Sequence, residues 1–270
     1  MSFRHAAPSN PARPLRARRA VAATLCCAIA LGPTGPGTAL AQAVQACPAL
    51  PAREAMPREA RPEYMDEAYW RARVAELSRI AGRDMSYADM IFFGDSIVHG
   101  WHLPVWEQYY GRRGGVNFGV GGDFVQGLLW RLRQGGQWPD SLRPKLAVIM
   151  IGTNNSTYAA PPADTALGIA EIVRLIRQRA PATRILLVGI LPRGLDASDP
   201  GRRLNQRVNE LIMRCADNRW VFYTDVGPAL LDRQGHLSPR IAADGVHPTA
   251  EGYSRLAAAL EPVLGGLLAR

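Results

Sequence analysis

The segment Ile91-Phe92-Phe93-Gly94-Asp95-Ser96-Ile97-Val98 decides the fold of this 270-residue chain. Its run of bulky apolar residues predicts a buried strand, and Gly-Asp-Ser predicts a sharp turn directly after that strand. In open α/β folds, ligands bind at the carboxyl ends of the strands. The turn would therefore place the Ser96 hydroxyl where a ligand can reach it, although Gly-Asp-Ser also occurs in plain turns.

Beyond this segment, short apolar stretches alternate with longer amphipathic ones. Apolar stretches without polar alternation, separated by helix-length segments, predict a parallel sheet that is covered on both faces. We expect strands at 90–94, 116–120, 146–151, 185–191 and 221–225. We expect helices at 63–81, 124–134, 163–180, 202–217 and 249–269. Five strands and about five helices predict a single doubly wound α/β domain.

The first 41 residues have the composition of a secretory signal peptide. Residues 1–19 contain five arginines and no acid, the stretch 20–31 is apolar, and Ala39-Leu40-Ala41 offers a cleavage site. The apolar stretch is shorter than the roughly 20 residues of a membrane-spanning helix. We therefore expect a signal peptide at 1–41, a Pro- and Ala-rich linker at 42–62 and the folded domain at 63–270. An uncleaved anchor and a disordered basic tail remain alternatives.

Export would place the protein in the bacterial periplasm or outside the cell, without stable insertion in the membrane after cleavage. Residues 42–270 hold 27 basic and 23 acidic residues, a net charge of +4 against +9 for the whole chain. They contain no basic cluster interleaved with aromatic residues, so nucleic acid is not an expected partner. An exported protein can form disulfides, but a Cys47–Cys215 pair and two unpaired cysteines are equally compatible with the sequence.

No cofactor or metal is predicted from the motifs. The chain has no Cys-x-x-Cys or Cys/His cluster typical of a zinc site. The glycine-rich stretch 119–122 does not match a dinucleotide-binding loop, because Phe124 stands where that pattern requires its third glycine.

Small polar clusters follow the predicted strands. They are Gly94-Asp95-Ser96, the stretch 117–123 (Asn-Phe-Gly-Val-Gly-Gly-Asp), Gly152-Thr153-Asn154-Asn155 and, after the fifth strand, Asp244-Gly245-Val246-His247. Since parallel strands end at the same edge of a sheet, we expect these clusters to converge there. Convergent polar side chains at such an edge are what an active site needs.

The residue types in these clusters suit acyl transfer. Ser96 would attack an ester carbonyl, His247 would accept its proton, and Asp244 would orient the imidazole. The developing oxyanion would be bound by the backbone N–H groups of Ser96 and Gly122 and by the side-chain amide of Asn154.

These motifs resemble the GDSL, or SGNH, hydrolase family, whose four named residues correspond here to Ser96, Gly122, Asn154 and His247. The resemblance covers about residues 88–265 and is greatest to the catalytic subunits of intracellular platelet-activating-factor acetylhydrolase. It implies a three-layer α/β/α, flavodoxin-like fold with a five-stranded parallel sheet, and metal-free hydrolysis of esters that often carry small acyl groups. The motifs on which the resemblance rests include 117–123, 129–132 (Leu-Trp-Arg-Leu), 143–145 (Arg-Pro-Lys), 152–155 and 191–194 (Leu-Pro-Arg-Gly).

The sequence departs from that subgroup in its export signal and in Gly245-Val246 between the aspartate and the histidine. The resembled subunits pair into dimers, so a homodimer is possible. We predict an exported serine esterase for short-chain acyl esters of a small molecule or a glycan. The alternatives are an acyltransferase with the same acyl-enzyme and a non-catalytic carbohydrate-binding module.

Several neighbouring residues have simpler interpretations. Ser96 could merely cap a helix, Asp123 is expected to cap one, and Asp95 is expected to support its turn. Arg193 could face the site at the end of the fourth strand. Asn155 is expected to be structural, and His99 and His102 to lie on the surface or at the pocket rim. Core packing is expected for Trp101, Trp106 and Trp130, with the lining of an acyl or sugar pocket as the alternative.

Overall fold

The computed structural model describes residues 47–49, 52 and 55–269. The predicted signal peptide, residues 1–41, lies outside the described residues. Within the described part of the chain, no helix is both long enough and apolar enough to span a membrane.

A five-stranded sheet forms the centre of the domain. Its strands are β1 (Met90–Gly94), β2 (Gly115–Gly119), β3 (Leu146–Met150), β4 (Arg184–Val188) and β5 (Val221–Thr224). All four pairings are parallel, and the strand order is β2-β1-β3-β4-β5. The predicted five-stranded parallel sheet is confirmed. β4 ends at Val188, so residues 189–191, expected as strand, already belong to the loop above the sheet.

Helices follow or connect the strands. They are α1 (Ala68–Ala81), α2 (Ser96–His99), α3 (Leu103–Tyr109), α4 (Val125–Arg133), α5 (Thr153–Thr157), α6 (Pro162–Arg179), α7 (Pro200–Ile212) and α8 (Ala250–Leu268). Short 3-10 turns occur at Arg58–Ala60, Gly111–Arg113, Met213–Cys215 and Gly227–Leu230. The sequence did not predict α2, α3 or α5, because helices of four to seven residues are too short to show a 3.6-residue periodicity.

The first predicted helix begins later than expected. Residues 63–67 do not join α1, which begins at Ala68. Instead, the Glu63 N–H donates to the Gln126 carbonyl at 3.0 Å, and the Tyr64 ring packs edge-on against Trp70 and Trp130. Contacts with α4 therefore override the helical pattern at this end.

The sheet buries apolar side chains on both faces, which explains why its strands lack polar alternation. Ile91 and Phe93 of β1 point into a core that includes side chains of α1, α4, α6 and α7. Met90 and Phe92 point the opposite way, into a core with side chains of α3 and α8. The result is the expected α/β/α arrangement, with Trp101 and Trp106 packed in the second core.

The segment before α1 is attached to the domain. Cys47 and Cys215 form a disulfide, which resolves the alternative that the sequence left open. Within the predicted linker, Ala60 is buried, and the Glu59 carbonyl lies so close to Gly168 of α6 that a Cβ there would collide with it.

Candidate active site

Ser96 lies at the carboxyl end of β1, at the first position of α2. The preceding Asp95 is the N-cap, and its side chain accepts a hydrogen bond from the Ile97 N–H at 3.0 Å. A Cβ at Gly94 would collide with the Met150 carbonyl and the Val98 side chain, so only glycine allows the chain to turn this tightly. Asp95 supports the turn as expected, and the alternative that Ser96 is the cap is wrong.

Residues from the two ends of the domain meet at this turn. The Ser96 Oγ and the His247 Nε2 are 2.8 Å apart, although 151 positions separate the two residues in the sequence. On the other side of the imidazole, the His247 Nδ1 lies 2.6 Å from the Asp244 Oδ2. The three side chains form one continuous hydrogen-bonded row, in the order that the sequence hypothesis requires.

A tight turn holds Asp244 and His247 together. One carboxylate oxygen of Asp244 accepts the backbone N–H groups of Val246 and His247 at 2.9 and 2.8 Å, which leaves the other oxygen for the imidazole. Just after the turn, the Thr249 side chain caps α8. The Tyr253 hydroxyl, one turn into α8, donates to the Ile97 carbonyl at 2.8 Å. This bond fixes α8 to the helix that begins with Ser96.

The electrostatics of the turn favour an ionised Asp244. Partial burial opposes ionisation, but the hydrogen bonds from the His247 side chain and from the two backbone N–H groups outweigh it and lower the pKa of Asp244 to about 2. A charged carboxylate fixes the Nδ1–H tautomer of the imidazole and stabilises the imidazolium form.

Two further groups face the same edge of the sheet. Gly122 follows β2 in the left-handed conformation (φ +72°), and within the described residues its N–H has no hydrogen-bond acceptor. Asn154, in α5 above β3, donates one amide hydrogen to the Asp123 carbonyl at 2.8 Å. Its second amide hydrogen stays available. The N–H of Ser96, at the start of α2, has no acceptor within its own helix.

Asp123 does not cap a helix, and that prediction is wrong. Its side chain is fully buried, where it pairs with Arg131 at 2.7 Å and accepts the Trp70 indole N–H at 3.0 Å. The N-cap position of α4 belongs to Phe124. Burial raises the pKa of Asp123, although Arg131 and the Trp70 bond counteract this. The residue was misread because its role depends on Arg131, eight positions away and hidden within an amphipathic helix.

The Arg131 guanidinium connects this pair to the strand ends. It donates to the Phe118 carbonyl at 3.0 Å and to the Gly94 carbonyl at 3.2 Å, at the ends of β2 and β1. Because Asp123 also presents its own carbonyl to Asn154, one buried ion pair supports the elements that carry Ser96, Gly122 and Asn154.

Sequence reasoning missed Tyr69. A Cβ at Gly122 would collide with the Tyr69 hydroxyl, so this α1 side chain covers the glycine. Tyr69 precedes the recognised motifs, and its only sequence signal is an aromatic residue on a predicted helix. His99 also lies here, and its Nδ1 accepts the Gly121 N–H at 3.2 Å.

The other neighbours have structural contacts. Asn155, expected to be structural, is buried, accepts the Val125 N–H at 3.1 Å and donates to the Gln126 side chain. Arg193, which the sequence suggested could face the site, donates to the Thr153 carbonyl at 3.3 Å and to the Thr157 hydroxyl of α5.

Comparisons with known proteins identify related sequences. The model of the GDSL-like lipase/acylhydrolase family matches residues 92–255. Platelet-activating factor acetylhydrolase IB subunit alpha1 of Pongo abelii is 35% identical over 184 residues, 67% of this chain and 78% of that protein.

Solved structures share the fold. A GDSL-like lipase from Bacteroides thetaiotaomicron superposes with a TM-score of 0.57 and 24% identity, covering 73% of this chain and 97% of its own. A catalytic mutant of an acetylxylan esterase from Geobacillus stearothermophilus superposes with a TM-score of 0.51 and 22% identity. The match covers 65% of this chain and 93% of that chain. The family resemblance found in the sequence is confirmed: the chain belongs to the GDSL-like lipase/acylhydrolase family and is a hydrolase of that type.

Proposed function

We propose that this protein is an exported serine esterase that hydrolyses short-chain acyl esters, with Ser96, His247 and Asp244 as its catalytic triad. The observation that carries the proposal is the continuous hydrogen-bonded row from the Ser96 Oγ through the imidazole to the Asp244 carboxylate. A serine hydroxyl is a weak nucleophile unless a base accepts its proton and a third group orients that base.

In the first half of the reaction, the Ser96 Oγ attacks the ester carbonyl while its proton passes to the His247 Nε2. The carbonyl oxygen becomes an oxyanion, bound by the N–H groups of Ser96 and Gly122 and by the free amide hydrogen of Asn154. His247 then returns the proton to the leaving alkoxide, so an alcohol departs and an acyl-Ser96 ester remains.

In the second half, water replaces the alcohol. His247 accepts a proton from the attacking water, the second tetrahedral intermediate collapses, and the proton returns to the Ser96 Oγ. The carboxylic acid leaves and the enzyme is restored. Removing a single oxyanion donor typically costs about 100- to 1000-fold in rate, which gives the scale expected for Asn154.

Two observations support a short acyl group. The side chains of His247 and Asp244 are 49% and 55% exposed, so the reacting groups lie in an open site. The relative is named for an acetylhydrolase and the structural neighbour for an acetylxylan esterase, both of which refer to acetyl groups. The acyl ester of a small molecule or a glycan is therefore the proposed substrate.

Export is supported by the signal-like sequence at 1–41 and by the Cys47–Cys215 disulfide. Disulfides persist in the periplasm and outside the cell and are rare in the cytosol.

Turnover of p-nitrophenyl acetate, butyrate and octanoate by the purified protein tests the proposal. We expect the highest kcat/KM for the acetate and no turnover above background in Ser96→Ala, with the free carboxylic acid as product. Ser254→Ala is the matched control, because Ser254 lies exposed on α8 and, among the described residues, its hydroxyl bonds only to the Ala250 carbonyl of its own helix. Wild-type turnover in a folded Ser96→Ala protein would exclude the proposed mechanism.

A further inference from the structure

The Leu-Pro-Arg-Gly motif at 191–194 takes no part in the proposed reaction, yet its arginine has well-defined contacts. The Arg193 side chain is only 16% exposed. Its Nη1 donates to the Thr153 carbonyl at 3.3 Å and to the Thr157 hydroxyl. Both acceptors lie on one turn of α5, where the Thr157 hydroxyl itself donates to the Thr153 carbonyl at 3.0 Å, so the guanidinium is bound to the short helix that carries Asn154.

This helix has little stability of its own. α5 is five residues long, and a helix of one turn is not stable alone in water. Its N-cap position is occupied by Gly152, which offers no side chain as a cap. Asn154 itself is tied to the domain by its bond to the Asp123 carbonyl. Arg193, in the β4–α7 loop, supplies a second attachment of this helix.

The backbone around Arg193 is firmly held. Arg202 of α7 donates to the carbonyls of Arg193 and Gly194 at 2.7 and 2.5 Å. The Gly194 N–H in turn donates to the Gly245 carbonyl at 2.8 Å, within the turn between Asp244 and His247. Two adjacent residues thus contact the helix of Asn154 and the turn of His247. The loop connects the two halves of the site.

We propose that Arg193 is a positioning residue for Asn154: it orients α5 so that the amide of Asn154 faces the oxyanion of the tetrahedral intermediate. This inference rests on the proposed esterase function. A guanidinium suits the role because it is planar and always charged, with several donors in a fixed arrangement. A lysine ammonium could donate to the same acceptors, but it lacks the planar group that fixes the direction of the Nη1 donor.

A double-mutant cycle with Arg193→Met and Asn154→Ala tests the inference, with p-nitrophenyl acetate as substrate. Because a displacement of about 1 Å can cost a hundredfold in rate, we expect Arg193→Met to lower kcat about ten- to a hundredfold, with KM changed less than about twofold. In the Asn154→Ala background the same substitution should lower kcat less than about threefold, since the residue through which it acts is gone.

Two additional variants keep the test independent of folding. Arg193→Lys should recover part of the loss, and Thr157→Val, which removes one acceptor, should reproduce part of it. The matched control is Arg177→Met, because Arg177 likewise donates to two oxygens, the carbonyls of Pro181 and Thr183, but near the amino end of β4, away from the site. Its kcat should equal that of the wild type.

The outcomes separate this inference from the proposed function. Equal losses from Arg193→Met with and without Asn154, or a loss confined to KM, would overturn the positioning role while the esterase proposal stands. If Arg193→Met does not fold, the other two variants decide. A wild-type kcat in both Arg193→Lys and Thr157→Val would overturn the positioning role. Absence of ester turnover in the unaltered protein would overturn the proposed function and this inference together.

Discussion

Asp244 is held in an environment that keeps its carboxylate charged at every pH at which an esterase would work. Its pKa of about 2 lies well below neutrality. We expect Asp244→Asn to lower kcat by about two to four orders of magnitude, because the amide neither fixes the tautomer nor stabilises the imidazolium. Asp232→Asn is the control, since Asp232 lies 3.6 Å from His236 in an exposed pair that has no part in the site. Equal activity in the two variants would contradict the role of Asp244.

The pH dependence of turnover follows from the same assignment. Only a neutral imidazole can accept the Ser96 proton, so kcat/KM should fall when the medium is acid enough to protonate the base. Asp244 cannot cause this fall above about pH 4, because it is already ionised there, given its pKa of about 2. Stopped assays of p-nitrophenyl acetate hydrolysis in constant-ionic-strength buffers would show it. A flat profile would count against His247 as the base.

Asp95 predicts a pH dependence of stability. Burial raises the pKa of its carboxyl to about 7, although the Ile97 N–H counteracts this. Between about pH 4 and 7 the folded protein therefore retains a proton that the unfolded chain has released, and stability falls as pH rises through this range. Asp95→Asn can keep the cap without the ionisation, so its unfolding free energy should fall less between pH 5 and 8. Urea unfolding at several pH values measures both proteins, and parallel profiles would contradict the assignment.

At the scale of elements, the Asp123–Arg131 pair joins α4 to the ends of β1 and β2. Removing one partner of a buried pair leaves an uncompensated charge, so Arg131→Met should cost about 3–5 kcal/mol in urea unfolding. Arg71→Met breaks the exposed pair with Asp66 and should cost less than about 1 kcal/mol. Similar losses in both variants would show that the buried pair has no special role.

The sequence predicted the long elements well and the short ones poorly. The five strands were predictable because both faces of the sheet are covered, which makes each strand a continuous apolar stretch. The same clusters indicated where Ser96, Gly122, Asn154 and the Asp244 turn converge. The short helices α2 and α5 were not predictable, because their stability comes from contacts such as those of Tyr253 and Arg193 with distant residues. Tyr69 was missed because it precedes the recognised motifs and its contact with Gly122 arises only in the folded chain.

For the molecule as a whole, the Cys47–Cys215 disulfide ties the segment before α1 to the region after α7, across 168 positions. The sequence did not decide whether these two cysteines pair, because their spacing does not show where residue 47 lies in the fold. A cross-link closing so long a loop stabilises by up to about 5 kcal/mol in the chain-entropy model. We expect the Cys47→Ser/Cys215→Ser double variant to melt at a lower temperature and to lose its sensitivity to dithiothreitol. An unchanged melting temperature would mean that the disulfide adds no stability.

The central claim is that Ser96 is a nucleophile activated by His247, and covalent labelling tests it most directly. A fluorophosphonate reacts with an activated serine by losing fluoride, and peptide mapping by mass spectrometry locates the adduct. We predict a single adduct on Ser96 in the wild type, formed at least about a hundredfold more slowly in His247→Ala. No adduct, an adduct on another residue, or equal labelling of Ser96 in both proteins would contradict the account.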